Sequence, residues 1–347
     1  MATRTIGLDI SARRILAAEV SGSIARKPTL HRVHAVDLPE GAARDSEVID
    51  VPAVSNALKQ LWREGEFKSK RVVLGVGNQR VLVRDHTVPL MPLAQLQQAL
   101  PYQVADLLPV PVTETILDFY PVAEVEGSDP PQVQGLLVAA IKDSIETNVA
   151  TLEDAGLRAS GIDLSPFGML RSLMPGGQLQ GCHTVVYLGA RTTFIVVAVD
   201  GTPRFVRIVP AGGETITDAV EDLTGLERDA AEALKTTIGI DQGADPQYRE
   251  TADAMLAALR SIFGSIRSTN SYYLSNLGGQ PIDSLIVMGP ETLVPGFVRA
   301  VGEYVDLPVT LGAPSAGVRL DQSLDPETLA RYESELSIPI GLGLRKG

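Results

Sequence analysis

Apolar residues fall in short runs broken by glycine, and one arrangement of runs occurs twice. IGLDISARRILAAEVSG begins at Ile6 and VVYLGARTTFIVVAVDG begins at Val185. In each, an apolar strand ends in a turn of small residues and a second apolar strand follows. Displaced by 178 positions, Asp9 to Arg13 lies over Tyr187 to Arg191. Gly22-Ser23 is echoed by Asp200-Gly201, and Asp-Gly is a strong hairpin signal. Residues 29–37 alternate as a third strand should. Within 51–65, Val54, Leu58, Leu61 and Trp62 recur at helical spacing, and 72–76 reads as a buried strand. The first segment is therefore a meander followed by a crossover helix, one half of a mixed sheet.

Beyond this segment the pattern changes. Residues 80–90 read as a strand, 93–107 as an amphipathic helix, 115–122 and 135–141 as strands joined by a polar, Pro-rich loop, and 143–155 as a helix. This strand-helix-strand-strand-helix block, 79–157, is expected to be a subdomain inserted into a first lobe of 1–78 plus 158–178. Within the returning segment, Ser165-Pro166 is expected to cap and open a helix. A second lobe is expected over 179–347. In it the meander recurs at 183–210, helices follow at about 214–224, 227–239 and 247–277, and a buried strand at 282–289 ends in glycine. A helix over 294–305, a short strand over 307–311 and a final helix over 326–336 complete it. The helical subdomain spans about 214–280. The fold class is a duplicated two-lobe α/β architecture with a cleft between the halves.

Composition fits that size. At 347 residues the chain exceeds the roughly 250–300 at which one core stops growing. The net charge of −12 disfavours both a nucleic-acid partner, whose binders carry a basic stripe, and an anionic membrane surface. The lone Cys182 cannot form an intrachain disulfide and reads as a small buried core residue in a reducing compartment. No N-terminal apolar segment reads as a signal, no run of about 18 apolar residues is present, and the tail from Ser337 is too short and glycine-rich for a membrane-lying helix. A cytoplasmic protein without direct membrane insertion is expected.

Four features carry candidate chemistry. The two turns present backbone amides that can cradle phosphate oxygens: Ser11, Ala12 and Arg13 in the first, Gly189, Ala190, Arg191 and Thr192 in the second. Two roles are open to Asp9, which can hold Mg²⁺ through water or accept bonds from the turn amides. Gly212 and Gly213 stand directly before a helix that starts at Glu214, where a helix N-terminus attracts anions. Glu232, Lys235 and Gly239 share one helix face. Glu232 can accept from ribose hydroxyls while the Lys235 stem packs along a base, or the two form an ordinary surface ion pair. Gly289, Pro290 and Glu291 make a strand-to-helix turn of the purine-enclosing kind. His31, His34, His86 and His183 lack metal-ligand spacing and read as structural. No Ser-His-acid set and no P-loop lysine motif stands out.

In this order, these markers resemble the actin-like nucleotide-binding superfamily of actin, the DnaK-type chaperones, the sugar kinases and FtsA. Within it the chain is most similar to the PilM family of type IV pilus assembly. The resemblance rests on IGLDISARRILAAEV, GLRASGIDLSPFGMLRSL and RFVRIVPAGGETITDAVEDLTGLERDAAEALK, and on the inserted PYQVADLLPVPVTETILDFYPV. It implies a ribonuclease H-like duplicated fold with ATP and Mg²⁺ between the lobes, and no residue of this chain is assigned a catalytic role. It also implies a groove between first lobe and insertion that holds the cytoplasmic tail of PilN, coupling a PilN/PilO platform to the assembly ATPase. Leu108, Pro109, Val110 and Pro111 are the candidates for lining that groove.

The sequence departs from the family pattern at several of these points. Ser11 replaces a glycine, Arg13 and Arg14 replace small residues, Leu16 a phosphate-contacting lysine, Tyr187 the second aspartate and Pro290 a glycine. Arg13, Arg14 and Arg191 are the candidates for restoring positive charge. A small-molecule kinase or ATPase on the same fold, and a filament-forming relative, are the alternative readings.

Overall fold

The doubled pattern becomes two sheets of matching strand order in the computed structural model, which describes residues 4–345. The first lobe opens with β1 (Arg4–Ile10), β2 (Arg14–Ser23) and β3 (Arg26–Asp37). The small hairpin β4 (Ala43–Arg44) and β5 (Glu47–Val48), α1 (Val51–Glu64) and β6 (Arg71–Val76) follow. Asp50 caps α1 by accepting from the Ala53 N–H at 3.0 Å, and Pro52 falls in its first turn. Val54, Leu58 and Leu61 then carry an apolar stripe onto the sheet.

The chain next leaves this sheet. β7 (Val81–Pro89), α2 (Leu93–Gln103), β8 (Thr115–Glu124) and β9 (Gln132–Ile141) build a separate three-stranded sheet in the order β7-β9-β8. α2 covers one face over Val88, Phe119 and Leu137. The chain returns through α3 (Lys142–Asp154), β10 (Arg158–Leu164) and α4 (Ser165–Leu173). The expected insertion, 79–157, is corrected at its end: α3 packs on α1 and β10, and its Leu152 shares a core with Leu58 and Leu61. Asn148 ties the same helix to the β4–β5 hairpin, accepting from Val48 N–H and donating to the Ser46 carbonyl. Ser165, expected to cap α4, is its first residue instead; Leu164 stands at the cap and the buried Ser165 hydroxyl has no partner.

The second lobe comprises β11 (Cys182–Leu188), β12 (Thr193–Val199), β13 (Thr202–Val209), α5 (Gly213–Thr224), α6 (Arg228–Ile238), α7 (Arg249–Asn276), β14 (Ser284–Met288), α8 (Phe297–Val305) and β15 (Val309–Leu311). Its order β13-β12-β11-β14-β15 repeats β3-β2-β1-β6-β10 of the first. The register repeats too: Asp9 opposes Leu16 and Ile10 opposes Ile15, while Tyr187 opposes Phe194 and Leu188 opposes Thr193. In both lobes the first strand pairs in parallel with a strand reached by a helical crossover, as parallel pairing demands. Cys182 is buried with a free thiol.

The last segment returns to the first lobe, which corrects the expectation of a second lobe running to residue 347. β16 (Arg319–Leu320) pairs with β3, α9 (Pro326–Tyr332) follows, and α10 (Ser337–Gly343) packs on β1 and α4. Ser337–Gly343 of the glycine-rich segment thus form a wholly buried helix. Its composition follows from a close crossing: a Cβ on Gly341 would lie 1.6 Å from the Gly168 carbonyl oxygen, so only glycine lets α10 meet α4.

Candidate functional site

The two repeated turns face each other across a cleft of about 170 Å³. Asp9, Ser11, Ala12 and Arg13 line it from the first lobe, and Gly189, Ala190, Arg191, Thr192, Glu232, Pro290 and Glu291 from the second. Gly212, Gly213, Glu214, Lys235, Gly239 and Gly289 are behind this lining, each for a packing reason. A Cβ on Gly212 would lie 2.3 Å from the Gly189 oxygen, and one on Gly213 would lie 1.7 Å from Glu291 Oε1. Gly239 packs on Pro295, and Gly289, at φ +100°, abuts the Leu188 carbonyl. Arg14, a candidate for restoring positive charge, lines the cleft too, and the sequence reading missed Asp45, Ser46, Phe194, Glu335 and Ile338, which also line it. Phe194 had a signal, since it occupies the repeat position of Leu16 and stacks on Tyr187 at 6.0 Å. Leu16 itself is buried in the first-lobe core.

Ion pairs organise the cleft. Arg13 crosses from the first lobe, its Nε 3.4 Å from Glu214 and its Nη2 3.2 Å from Glu232. Glu214 also receives Arg191 at 2.6 Å and Arg228 at 3.3 Å, so one mostly buried carboxylate gathers three guanidiniums. Lys235, expected to lay its stem along a base, is 0 % exposed. Its Nζ is 2.9 Å from both Glu232 and Glu291 and donates to the Gly213 carbonyl at 3.4 Å. Burial alone would raise Glu232, but the Thr217 hydroxyl and Lys235 hold it below the usual carboxylate range. Burial outweighs Lys235 at Glu291 and pushes that group up. On the floor of the cleft, burial and then Glu335 push Asp9 up to about 7. Burial also holds the Tyr187 hydroxyl well above its ordinary range.

These residues do not fit a magnesium–nucleotide in this arrangement. Small-molecule sites enclose roughly 300–1,000 Å³, well above the cleft's volume. The helix-start amides of Gly213 and Glu214 already donate to the Gly189 and Ala190 carbonyls, at 2.9 and 2.7 Å. In the first turn, Ser11 N–H donates to the Arg14 carbonyl, and the Arg13 and Arg14 N–H groups donate to Ser11 Oγ. The basic residues lining the cleft are all paired: Arg13 and Arg191 as above, Arg14 with Asp37 and Glu335. The hydroxyls of Ser165 and Thr192, both in the cleft lining, are buried and have no partner in the protein. Among the described residues no group of three or more acidic, His or Cys side chains is placed to hold a metal ion.

A second site is apolar. A groove of about 340 Å³ runs beneath the face of the inserted sheet that α2 leaves uncovered. Ile116, Asp118 and Tyr120 of β8 face Ile162 and Asp163 of β10 and Phe167, Leu170 and Arg171 of α4. The Tyr120 and Phe167 rings meet across it at 5.0 Å. Both β8 and β10 are edge strands. The edge of β10 is partly capped by Arg345, which donates to the Ile162 carbonyl at 3.0 Å, while Arg171 pairs with Asp163. The residues expected to line this groove do not. Leu108, Pro109 and Val110 border a different one of about 810 Å³, between β7 and β13 of the second lobe, and Pro111 lines neither. The reason is that α2 and the turns after it pack on the opposite face of the inserted sheet.

Two lobes of matching order closing on a paired-turn cleft define the actin-like fold. Solved structures agree. A PilM–PilN type IV pilus biogenesis complex superposes with a TM-score of 0.86 at 24% identity over all of both chains. MreB5 of Spiroplasma citri bound to AMPPNP gives 0.54 at 12% identity over 96% of each chain. Among curated proteins, FtsA of Streptococcus pneumoniae is 22% identical over 95% of this chain and 80% of its own. FtsA of Neisseria meningitidis is also 22% identical, over 88% of this chain and 83% of its own. The chain belongs to the type IV pilus assembly protein PilM family, whose model matches residues 7–347. No described helix is long and apolar enough to cross a membrane.

Proposed function

We propose that this chain is a scaffold of a type IV pilus or related secretion platform, and that the groove beneath the inserted sheet captures the short cytoplasmic tail of a PilN-type inner-membrane partner. The protein then sits at the membrane through its partners, linking a PilN/PilO platform to the cytoplasmic assembly ATPase. The observation that carries this reading is the groove itself: an apolar trough bordered by the edge strand β8, with Tyr120 half-exposed at its wall. An extended tail can add main-chain bonds along such an edge and place alternate side chains among the apolar walls. Family membership and the PilM–PilN likeness support the choice of partner. The kinase or ATPase reading is not favoured by that membership.

Calorimetric titration of the full chain with a synthetic tail of the cognate PilN tests the proposal. Binding is expected, and Tyr120→Ala should weaken it about tenfold or more, as loss of an aromatic anchor does. No heat of binding, or an unchanged affinity in the variant, would remove this groove as the site.

A further inference from the structure

We propose that the cleft between the lobes takes up no magnesium–nucleotide, and that an ion-pair latch centred on Arg13 joins the lobes where relatives of this fold place that ligand. The proposal concerns a different site from the tail-binding groove and stands apart from it.

Three observations carry it. First, Arg13 is a lobe-spanning side chain: it leaves the β1–β2 turn and reaches Glu214 at the start of α5 and Glu232 on α6. Isolated exposed pairs contribute little, but charges joined in a network contribute more. Here Glu214 joins Arg13 to Arg191 and Arg228, and Glu232 joins it to the fully buried Lys235. Second, several of the groups that would meet a nucleotide are committed to one another. Glu232 accepts from Thr217 at 2.6 Å and pairs with Lys235 at 2.9 Å, so a ribose would have to displace both. The α5 N-terminal amides bond the Gly189 and Ala190 carbonyls, so phosphate oxygens would find those donors occupied. Third, the cleft offers no free cation. The three arginines that line it are already paired, Arg13 with Glu232, Arg14 with Glu335 and Arg191 with Glu214. A triphosphate entering such a site loses hydration without gaining a free cation.

Two measurements on the full chain test this. In the first, the melting temperature and calorimetric heat are followed as Mg-ATP, Mg-ADP and Mg-GTP are added in millimolar excess. Any ligand of the folded state raises apparent stability by mass action, so an unchanged melting temperature and no heat are expected. A saturable heat with a rising melting temperature overturns the proposal. In the second, hydrogen exchange is compared between wild type and Arg13→Ala. Residues 10–14 and the start of α6 should exchange about tenfold faster in the variant, the size of one lost charge-assisted contact. Exchange that stays at the wild-type rate overturns the latch. Should Arg13→Ala not fold, Glu232→Gln, which keeps shape and removes charge, supplies the same readout with the same two outcomes.

Discussion

The guanidinium of Arg13 lies 3.2 Å from the carboxylate of Glu232, though 219 positions separate them and each belongs to a different lobe. That contact runs through Glu232 to Lys235 and Glu291, so the cleft is continuous with an ion triad in the second-lobe interior. Breaking a buried pair leaves an uncompensated charge, a larger cost than removing the whole set.

Lys235→Met therefore should destabilise the chain by about 3–5 kcal/mol in chemical denaturation, because Glu232 and Glu291 lose their shared cation. Adding Glu291→Met should recover much of that loss. A double variant that is additive or worse would mean the triad is not one electrostatic unit.

Asp9 predicts a pH dependence. Its folded-state pKa of about 7 lies above the ordinary 3.8, so the fold favours the protonated carboxyl. The cost of ionised Asp9 is absent below the unfolded value, grows through the interval, and is fully present above about pH 7. The gain in melting temperature of Asp9→Asn over wild type should consequently increase from about pH 5 to about pH 7 and then level off. A gain that is constant or shrinks with rising pH would contradict the assigned burial.

Two glycines should respond in opposite directions. Gly341→Ala forces a Cβ to within 1.6 Å of the Gly168 oxygen, and overpacking of this kind costs about 1–3 kcal/mol or more. Gly264 lies inside α7, where an added Cβ meets nothing nearer than the Tyr304 hydroxyl at 3.8 Å. Gly264→Ala should stabilise by about 0.5–1 kcal/mol through helix propensity. Urea denaturation of both variants reads the contrast directly, and a neutral Gly341→Ala would mean that α10 and α4 do not cross closely.

Much of the architecture was legible because it rests on local periodicity. The repeat displaced by 178 positions reappears as identical strand register, and α1 occupies nearly the predicted span. What escaped depends on contacts distant in sequence. Ser337 to Gly343 reads as a polar-poor, glycine-rich tail until Gly168 is known to lie against it. Lys235 and Glu232 form an i, i+3 pair that looks like surface decoration; Glu291, from another element, helps to bury the lysine. Leu108, Pro109 and Val110, the expected groove candidates, border the space between β7 and β13 and not the groove beneath the inserted sheet. The apolar Leu108–Pro111 stretch stands out in the sequence, whereas Tyr120 and Phe167 matter only once β8 and α4 are juxtaposed.

Whether a partner tail occupies the groove beneath the inserted sheet is read by a hydrogen-exchange footprint of the full chain with saturating PilN tail peptide. Protection is expected over Ile116–Tyr120 of β8 and Ile162–Arg171 of β10 and α4, with residues 10–14 and 187–192 of the cleft unchanged. Protection confined to the cleft turns, or to Leu108–Val110 and β13, would contradict it.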